Sequence, residues 1–489
     1  MNKTLMTDFY ELTMAQTYFD EGDKDEIMYF DVFFRNNPQN GGYTVAAGLD
    51  EIINYISNFK FDPWAINYLK SLNTFSDEFL DYLSHLKFTG DIYAVPDGTP
   101  VFPFEPVITV RAKAIEAQLI ETAILACFNH ASLVTTSAKR ITDEAFYYGT
   151  SKRIPVMEFG ARRARGIDSA NEASKYGVMG GCVATSNTLA GYLYDLPVSG
   201  TMAHSLVTNS DNEYEAFLKY AKTNPDNCIF LVDTYDTLRS GIPAAIKVAN
   251  DYLIPNGYKF KGIRIDSGDL AYLSKEARKM LDEAGFTDTK ICLSNGLNEF
   301  TIRDLISQGA EFDSLGVGDN ISASKERMGG VYKLVGIEKD HEIIPRIKVS
   351  DDAFKTTNPG FKRVYRFYDN NTGYALGDVI ALNHEIIDTE NYTLVAENET
   401  WKKTFLKNYT VRELQVPIFI NGKQVYKNKS IMERREYCMR EMETLYPEVR
   451  RIINPHVYYV DLSDELRELK YNMINEVRNH DAKKRVRKP

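Results

Sequence analysis

Short apolar runs alternate with helical stretches from about residue 153 onward, and this alternation constrains the fold more than any other feature of the sequence. Most runs end in a loop of Gly, Asp, Ser or Asn. The runs cover residues 154–159, 229–232, 262–265, 291–294 and 314–317, and amphipathic helical patterns cover 241–252, 270–284 and 298–308. Short continuous apolar strands alternating with helices indicate a parallel sheet that is buried on both faces.

The spacing of these units favours a closed barrel over an open sheet. The repeats are roughly 20 to 45 residues long, as in (β/α) barrels. No GxGxxG motif opens the first unit, as it does in dinucleotide-binding open sheets. We therefore predict a (β/α) barrel, with an open doubly wound sheet as the alternative. In such barrels the loops that follow the strands form the active site.

Patterning divides the chain into three predicted parts. Residues 1–125 mix helical and strand-like segments and form an N-terminal α/β domain, and residues 126–340 carry the barrel. Residues 341–489 form a C-terminal region of strands and then helices, for which scaffold and dimer surface are the default roles. The basic run at 483–488 is expected to be a solvated chain end.

Charge and cysteine content exclude several classes of partner. The chain has 58 Lys and Arg against 68 Asp and Glu, a formal net charge of −10, so it lacks the overall field that favours nucleic acid or anionic membranes. Five scattered cysteines without CxxC spacing argue against a disulfide framework and a cysteine-ligated zinc site. The N-terminus has no apolar stretch before Asp8, and no apolar run approaches the ~18 residues of a membrane span. We expect a cytoplasmic protein that binds neither nucleic acid nor membrane.

Charged, hydroxylated and glycine residues cluster where the predicted strands end. Because the strand ends of a barrel share one rim, these loops are expected to converge. They are 158–163 (EFGARR), 200–205 (GTMAHS), 233–237 (DTYDT), 264–269 (RIDSGD), 294–296 (SNG) and 316–319 (GVGD). Glycine lets backbone N–H groups approach an oxyanion, and a following helix N-terminus adds partial positive charge. Together they predict a site for a phosphorylated, hydroxylated ligand with a divalent metal.

Two acids flank a Ser-Gly pair in the loop at 264–269. Asp266 and Asp269 are suited to hold Mg²⁺ or vicinal ribose hydroxyls. The alternative is a helix N-cap with Asp269 in the first turn. Arg264, two residues before Asp266, points to the same face of the strand. Its guanidinium is suited to a planar anion, and the alternative is a structural ion pair with one of these acids.

His204 is one of only seven histidines, and it stands in a predicted active-site loop. An imidazole acts there as a base or accepts a phosphoryl group as a covalent carrier. Asp233, at the next strand end, is predicted to accept a hydrogen bond from the second ring nitrogen and to hold the reactive tautomer. The alternative is a structural histidine without a chemical role.

Four segments together resemble one enzyme family. They are 7–10 (TDFY), 158–164, 200–205 and 264–270. In order and spacing they are similar to nicotinate phosphoribosyltransferases, over residues 7 to about 335. The resemblance implies an irregular (β/α) barrel of the type II phosphoribosyltransferase kind, an open-faced N-terminal α/β sandwich domain completed by later segments, and a C-terminal extension. It also implies a homodimer whose active sites are shared between subunits.

The implied reaction joins nicotinate to 5-phosphoribosyl 1-pyrophosphate (PRPP), giving nicotinate mononucleotide and pyrophosphate in NAD biosynthesis and salvage. ATP is implied as a co-substrate, hydrolysed to ADP and phosphate through a phosphohistidine, which makes the enzyme ligase-type. Mg²⁺ is the implied cofactor. Zinc is not expected, because the C-terminal zinc-binding cysteines of some relatives are absent here.

The resemblance also assigns roles to individual residues. It implies that His204 is autophosphorylated and that Asp233 orients it. It implies that Phe159 and the partner subunit's Tyr10 cover the two faces of the pyridine ring. The other implied contacts are Arg162, Thr201 and Arg264 for nicotinate or its nucleotide, Asp266, Ser267 and Gly268 for ribose and pyrophosphate, Gly296, Gly316 and Gly318 for the 5′-phosphate, and Asp266 with Asp269 for Mg²⁺. Asp319 stands where close relatives often have threonine, and since an acid repels phosphate, it is not expected to bind phosphate directly.

Three other functions fit parts of the sequence. A nicotinamide phosphoribosyltransferase is similar but has an acid in the segment aligned with 185–188, where this chain has none, which favours an anionic substrate. A Schiff-base sugar-phosphate lyase needs a lysine at a strand end, and the six loops have none. A non-catalytic ligand sensor is disfavoured by the intact set of His204, Asp233 and Asp266.

Overall fold

The computed structural model describes residues 2–147, 152–350, 355–397 and 401–486. The chain divides into two compact units. Unit 1 consists of Met1–Leu133, Glu326–Lys429 and Tyr437–Pro489, and unit 2 of Val134–Lys325 and Ser430–Glu436. The domain boundaries predicted from the sequence, 1–125, 126–340 and 341–489, stay a prediction beside this division.

The strands of the described residues are short and mostly buried. They are β1 (Ile27–Phe33), β2 (Thr44–Val45), β3 (Asp91–Ala94), β4 (Pro100–Val101), β5 (Ile108–Lys113), β6 (Phe146–Tyr147), β7 (Lys152–Arg153), β8 (Val156–Glu158), β9 (Ala184–Thr185), β10 (Ile229–Leu231), β11 (Gly262–Ile265), β12 (Lys290–Ser294), β13 (Ser314–Val317), β14 (Val331–Lys339), β15 (Glu342–Pro345), β16 (Lys362–Asp369), β17 (Ala375–Leu382), β18 (Asn391–Val395), β19 (Lys403–Lys407), β20 (Tyr409–Glu413), β21 (Val416–Ile420), β22 (Lys423–Gln424) and β23 (Val460–Leu462).

The α-helices occupy both units, and short 3₁₀ and π turns supplement them. They are α1 (Phe9–Asp20), α2 (Leu49–Ser57), α3 (Pro63–Ser71), α4 (Asp77–His85), α5 (Ala114–Leu119), α6 (Glu121–Glu144), α7 (Ile167–Met179), α8 (Thr188–Tyr194), α9 (His204–Thr208), α10 (Glu213–Thr223), α11 (Ile242–Val248), α12 (Leu270–Glu283), α13 (Glu299–Ser307), α14 (Asp319–Ser322), α15 (Ile431–Glu443), α16 (Pro447–Arg450) and α17 (Asp464–Val486).

Unit 1 is built from distant parts of the chain. Its seven-stranded sheet has the order β15-β14-β1-β5-β3-β21-β22, and all its pairings are antiparallel. A four-stranded sheet, β20-β16-β17-β23, belongs to the same unit. A buried ion pair links early and late segments, with Lys362 Nζ 2.8 Å from Asp31 Oδ2. Later segments of the chain therefore complete the N-terminal sheet with β14, β15, β21 and β22, and also form the four-stranded sheet.

Unit 2 contains a parallel sheet with the order β10-β11-β12-β13-β8-β9, in which every pairing is parallel. All five apolar runs predicted as strands are found in it, as β8, β10, β11, β12 and β13. Predicted helices at 270–284 and 298–308 are found as α12 and α13, each begun by a capping side chain, Asp269 and Asn298. Among the described residues no ladder joins β10 to β9, so the sheet is open there.

One helical stretch, Ala114–Glu144, is long and apolar enough to cross a membrane by length and composition. Of its most apolar window, 56% is buried inside the protein. That degree of burial is typical of a core helix, and Ile120 and Ile124 belong to the hydrophobic core of unit 1.

Candidate active site

The carboxyl ends of the parallel strands in unit 2 lie along one edge of the sheet, which brings the predicted loops together. Phe159 follows β8, Asp233 lies just beyond β10, Asp266 follows β11, and Gly318 follows β13. The loop at 200–205 comes in beside β9, because Val198 forms a parallel bridge with Thr185. The predicted convergence is confirmed for the loops whose residues contact residues of another loop at this edge.

Arg264 is the centre of the contacts at this edge. Its Nε donates to Ser294 Oγ at 2.8 Å, its Nη1 to Thr201 Oγ1 at 3.3 Å and its Nη2 to Asp266 Oδ1 at 2.9 Å. The guanidinium carbon lies 5.5 Å from the centre of the Phe159 ring. Only 12% of the Arg264 side chain is exposed. One guanidinium thus connects four loops, and the structural ion pair considered as an alternative is present.

The two acids of the loop at 264–269 have different environments. Asp266 Oδ1 accepts from Arg264 and from Ser294 Oγ, the latter at 2.5 Å. Asp269 Oδ1 accepts from the backbone N–H of Tyr272 at 3.0 Å and caps α12. The helix-cap interpretation of Asp269 is therefore confirmed. Within the described residues, no group of three or more His, Cys, Asp or Glu side chains is arranged to hold a metal ion, and the magnesium assignment stays a prediction.

Asp233 is anchored to the neighbouring loop and not to the histidine. Its Oδ2 accepts from the backbone N–H of Asp266 at 2.8 Å and from Ser267 Oγ at 2.6 Å. Its Oδ1 is buried and has no hydrogen-bond partner among the described residues. The predicted hydrogen bond from His204 to Asp233 is not formed, because the two ring nitrogens of His204 face Thr234 Oγ1 and Asp266 Oδ2 instead.

His204 begins α9 and presents one ring edge to solvent. Its Nδ1 lies 3.1 Å from Thr234 Oγ1, and its Nε2 lies 3.9 Å from Asp266 Oδ2. The side chain is 43% exposed. A hydroxyl thus contacts one ring nitrogen and a carboxylate faces the other, an arrangement compatible with a nucleophilic imidazole.

The ring of Phe159 lies over a glycine. A Cβ at Gly316 would meet the ring atoms Cδ2 and Cε2 at 2.4 Å, so a larger residue there would displace the ring. Gly268 and Gly296 adopt positive φ angles of 76° and 62°, which glycine tolerates best. The nearest atom to a Cβ at Gly318 would be Phe159 O, at 3.4 Å. Their assignment to ribose and phosphate stays a prediction.

Glu158 stands in a predicted loop but was given no role from the sequence, although it fixes the loop that carries Phe159. Its carboxylate accepts from the Gly160 N–H and, at 2.6 Å, from Thr185 Oγ1. Burial raises the pKa of Glu158, and the hydrogen bonds from Thr185, Gly160 and Ser174 oppose that shift. Ser322 Oγ donates to Gly160 O at 2.8 Å. Both backbone groups of Gly160 are therefore held by buried side chains.

Arg162 and Tyr10 are predicted to bind the pyridine substrate. Arg162 lies on an exposed 3₁₀ turn, Ala161–Arg163, and forms no hydrogen bond or ion pair with the described part of the chain. Tyr10 belongs to α1 of unit 1, where its side chain is 48% exposed. Burial and the nearby carboxylates, Glu121 first, raise the pKa of the Tyr10 hydroxyl to about 12. Its role beside Phe159 stays a prediction.

Ser294 and Thr234 stand in the predicted loops but received no individual role, and strand alternation is the signal that would have assigned one to Ser294. Arg264 pairs with Cys292 across β11 and β12, so Ser294, two residues later, lies on the same face as Arg264. Thr234 contacts His204 only because α9 approaches the end of β10, and no local pattern predicts that approach.

Family models for three domains match this chain. The model described as the N-terminal domain of nicotinate phosphoribosyltransferase matches residues 5–129. The model of the nicotinate phosphoribosyltransferase family matches residues 154–372, and that of the C-terminal domain residues 361–470. Together they cover most of the sequence.

Similar proteins have the same description. The nicotinate phosphoribosyltransferase of Bacillus subtilis is 42% identical over 479 residues, which cover 97% of this chain and 96% of that one. The Caenorhabditis elegans protein of that name is 35% identical and covers 94% of this chain and 92% of its own. The crystal structure of human nicotinic acid phosphoribosyltransferase superposes with a TM-score of 0.82 at 28% identity, covering 96% of this chain and 99% of the human one.

Proposed function

Because this chain belongs to the nicotinate phosphoribosyltransferase family, we propose that it joins nicotinate to PRPP, forming nicotinate mononucleotide and pyrophosphate in NAD biosynthesis. One structural observation carries the proposal beyond the family match. Arg264 links loops from four parts of the chain into one polar edge, where Asp266 faces both Arg264 and His204. Such an edge suits a ribose that carries phosphate groups and a flat aromatic acid.

The proposed residue roles are those that the family resemblance implies, and the chemistry of the two substrates supports them. Phe159 provides one flat face for the pyridine ring, and Tyr10 of the partner subunit provides the other. Arg162, Thr201 and Arg264 bind the nicotinate carboxylate or its nucleotide, and the uncompensated charge of Arg162 supports this. Asp266, Ser267 and Gly268 bind ribose and pyrophosphate, and Gly296, Gly316 and Gly318 surround the 5′-phosphate. Holding both reactants in line for attack at the anomeric carbon supplies much of the acceleration.

ATP is coupled to the transfer through phosphorylation of His204. The 43% exposure of the His204 side chain supports this role, because the nucleophile must be accessible to ATP. The ring nitrogen forms the bond to the γ-phosphorus of ATP as the bond to ADP breaks, and water later takes the phosphoryl group as phosphate. Thr234 holds the other nitrogen. Asp233 acts indirectly, because it accepts a hydrogen bond from the backbone N–H of Asp266 and so fixes the position of that residue.

The carboxylate oxygens of this edge suit a magnesium ion that is also bound by the phosphates of the substrate. They do not enclose the ion in a cage of protein ligands alone. Mg²⁺ is usually held by one or two carboxylates together with substrate phosphates. Asp266 Oδ2 and the unpartnered Asp233 Oδ1 would hold it, with Asp269 constrained by its capping role. When bound, the ion stabilises the negative charge that develops on the leaving pyrophosphate.

The fold and assembly are proposed on similar grounds. The six-stranded parallel sheet supports an irregular barrel of the type II phosphoribosyltransferase kind. A homodimer with shared active sites is supported by a group of exposed apolar side chains at the start of unit 1, because such groups mark interaction surfaces. They are Met6, Phe9, Tyr10 and Met14. Substrates that are intracellular metabolites support a cytoplasmic location.

A product assay resolved by mass tests the proposed function. The complete mixture contains nicotinate, PRPP, Mg²⁺ and ATP, and each is omitted in turn. We expect nicotinate mononucleotide only when nicotinate and PRPP are both present, with formation slowed when ATP is withheld and lost without Mg²⁺. Absence of the mononucleotide from the complete mixture would refute the activity, and a rate independent of ATP would refute the coupling.

A further inference from the structure

Ser294 ends β12 inside the network at the sheet edge, although none of the roles above includes it. Only 2% of the residue is exposed. Strand β12 pairs with β11 in parallel, with Arg264 opposite Cys292. Side chains two residues apart on a strand point to the same face, so Ser294 faces Asp266 as well as Arg264.

The Ser294 hydroxyl closes a ring of hydrogen bonds with Arg264 and Asp266. It donates to Asp266 Oδ1 at 2.5 Å and accepts from Arg264 Nε at 2.8 Å. Arg264 Nη2 donates to the same Asp266 oxygen at 2.9 Å. The single proton of the serine and one of its lone pairs are thus both engaged.

This ring decides which oxygen of Asp266 stays available. The terminal torsion of an aspartate is broad and roughly two-fold, so the carboxylate alone does not choose an orientation. Two donors on Oδ1 leave Oδ2 directed at His204 Nε2, 3.9 Å away. Without the serine hydroxyl, Oδ1 loses one donor, and the Nε of the largely buried Arg264 loses its acceptor.

We propose that Ser294 is a positioning residue, which acts through Arg264 and Asp266 to present Asp266 Oδ2 to the ribose end of PRPP. The inference rests on the proposed function, in which Asp266 binds that substrate. It gives a role to a residue that the loop pattern contained and that the family resemblance left without one. A serine without a positioning role would leave the affinity for PRPP unchanged when its hydroxyl is removed.

A double-variant cycle tests the inference. The variants are S294A, S294T, D266N and the combination S294A/D266N, and S307A is the control because the Ser307 hydroxyl is exposed and bonds only Asp304 O, at 2.8 Å. We expect S294A to lower kcat/KM for PRPP by about 10-fold to 100-fold, the usual effect of losing a hydrogen bond to a charged group. S294T keeps the hydroxyl and restores most of the loss, and S307A matches the wild type. The combination is no worse than D266N alone, because Ser294 acts through Asp266.

Calorimetric titration with PRPP accompanies the kinetics, since its stoichiometry reports the folded fraction of each variant. Losses that multiply in S294A/D266N would overturn the inference, as would an S294A enzyme whose PRPP affinity equals that of S307A. A wild-type protein that binds PRPP without forming the mononucleotide would refute the proposed function instead. The same titration series would then still decide the role of Ser294.

Discussion

The ring of Phe159 occupies the space into which any side chain at Gly316 would project. A Cβ at residue 316 would lie 2.4 Å from Cδ2 and Cε2 of the ring, and the next nearest atom would be Ser294 Cβ at 3.4 Å. Gly316 belongs to β13, which pairs with β8 immediately before Phe159. The glycine therefore sets where the ring lies, and the ring in turn lies beside the guanidinium of Arg264.

Replacing Gly316 with alanine is expected to displace the Phe159 ring and weaken nicotinate binding. We expect KM for nicotinate to rise by about 10-fold, since a displaced aromatic contact costs on the order of 1 kcal/mol or more. The KM for PRPP is also expected to rise, because Gly316 is proposed to lie beside the 5′-phosphate of that substrate. Steady-state kinetics with each substrate varied in turn measure both. The control is Gly329→Ala, because a Cβ there meets nothing within 4 Å. A rise confined to the KM for PRPP would show that the substitution leaves the Phe159 ring in place.

Replacing His204 with alanine is expected to abolish the stimulation by ATP while a slow, ATP-independent transfer remains. The exposed imidazole is the proposed carrier of the phosphoryl group, and the groups that bind nicotinate and PRPP stay in place. Product formation with and without ATP, together with ³²P transfer to the protein, measures the effect. His384→Ala is a suitable control, because His384 is exposed and contacts Glu465 instead. Persistent ATP coupling in the His204 variant would show that the assigned role is wrong.

Placing a carboxylate at Ser186 is expected to weaken binding of nicotinate but not of nicotinamide. Ser186 is exposed and follows β9 directly, next to the buried Thr185 whose hydroxyl bonds Glu158. Ser186→Asp adds one negative charge near an anionic substrate, and we expect KM for nicotinate to rise by about 3-fold to 10-fold at low ionic strength. Competition between the two pyridines in one turnover assay measures the preference. Ser186→Asn has the same shape without the charge, and an equal effect of both variants would contradict the electrostatic explanation.

The parallel sheet of unit 2 was predictable because its strands carry a local signal. Continuous apolar runs such as 262–265, each ended by polar residues, mark strands buried on both faces, and parallel strands place those polar residues at one edge. The edge itself and several of its members follow from the sequence. The same argument does not predict the strand pairing of unit 1, because β21 pairs with β3 across more than 300 residues of chain.

It was easier to predict which residues belong to the site than which of them form hydrogen bonds with one another. Asp233 was expected to accept a hydrogen bond from His204. In the structure its Oδ2 accepts from the Asp266 N–H and the Ser267 hydroxyl of the turn after β11. Asp269 was considered both as a metal ligand and as a helix cap; the structure shows the cap, and the metal role stays a prediction. A partner depends on side-chain directions that span two or three elements, and strand patterns do not encode these directions.

The last prediction concerns stability in unit 1, where Glu105 is fully buried beside a charged pair. Arg366 and Asp378 form an ion pair of 2.6 Å, and both side chains are inaccessible to solvent. Burial first, and then the neighbouring Asp378, raise the pKa of Glu105 well above its ordinary value of 4.5. Glu105 is therefore protonated in the folded protein at a pH where the unfolded chain has lost that proton.

The sign of the pH dependence follows from this difference. Above pH 4.5 the folded protein binds one proton more than the unfolded chain at this residue, so its contribution to stability falls by about 1.4 kcal/mol per pH unit until the raised pKa is reached. Glu105→Gln cannot ionise and removes that decline. We expect the free energy of unfolding of this variant in urea, relative to that of the wild type, to increase as the pH rises from 4.5 towards the raised pKa of Glu105. Glu78→Gln, at an exposed position on α4, provides the matched control. A difference between Glu105→Gln and wild type that stays constant across this range would show that Glu105 does not titrate in the folded protein.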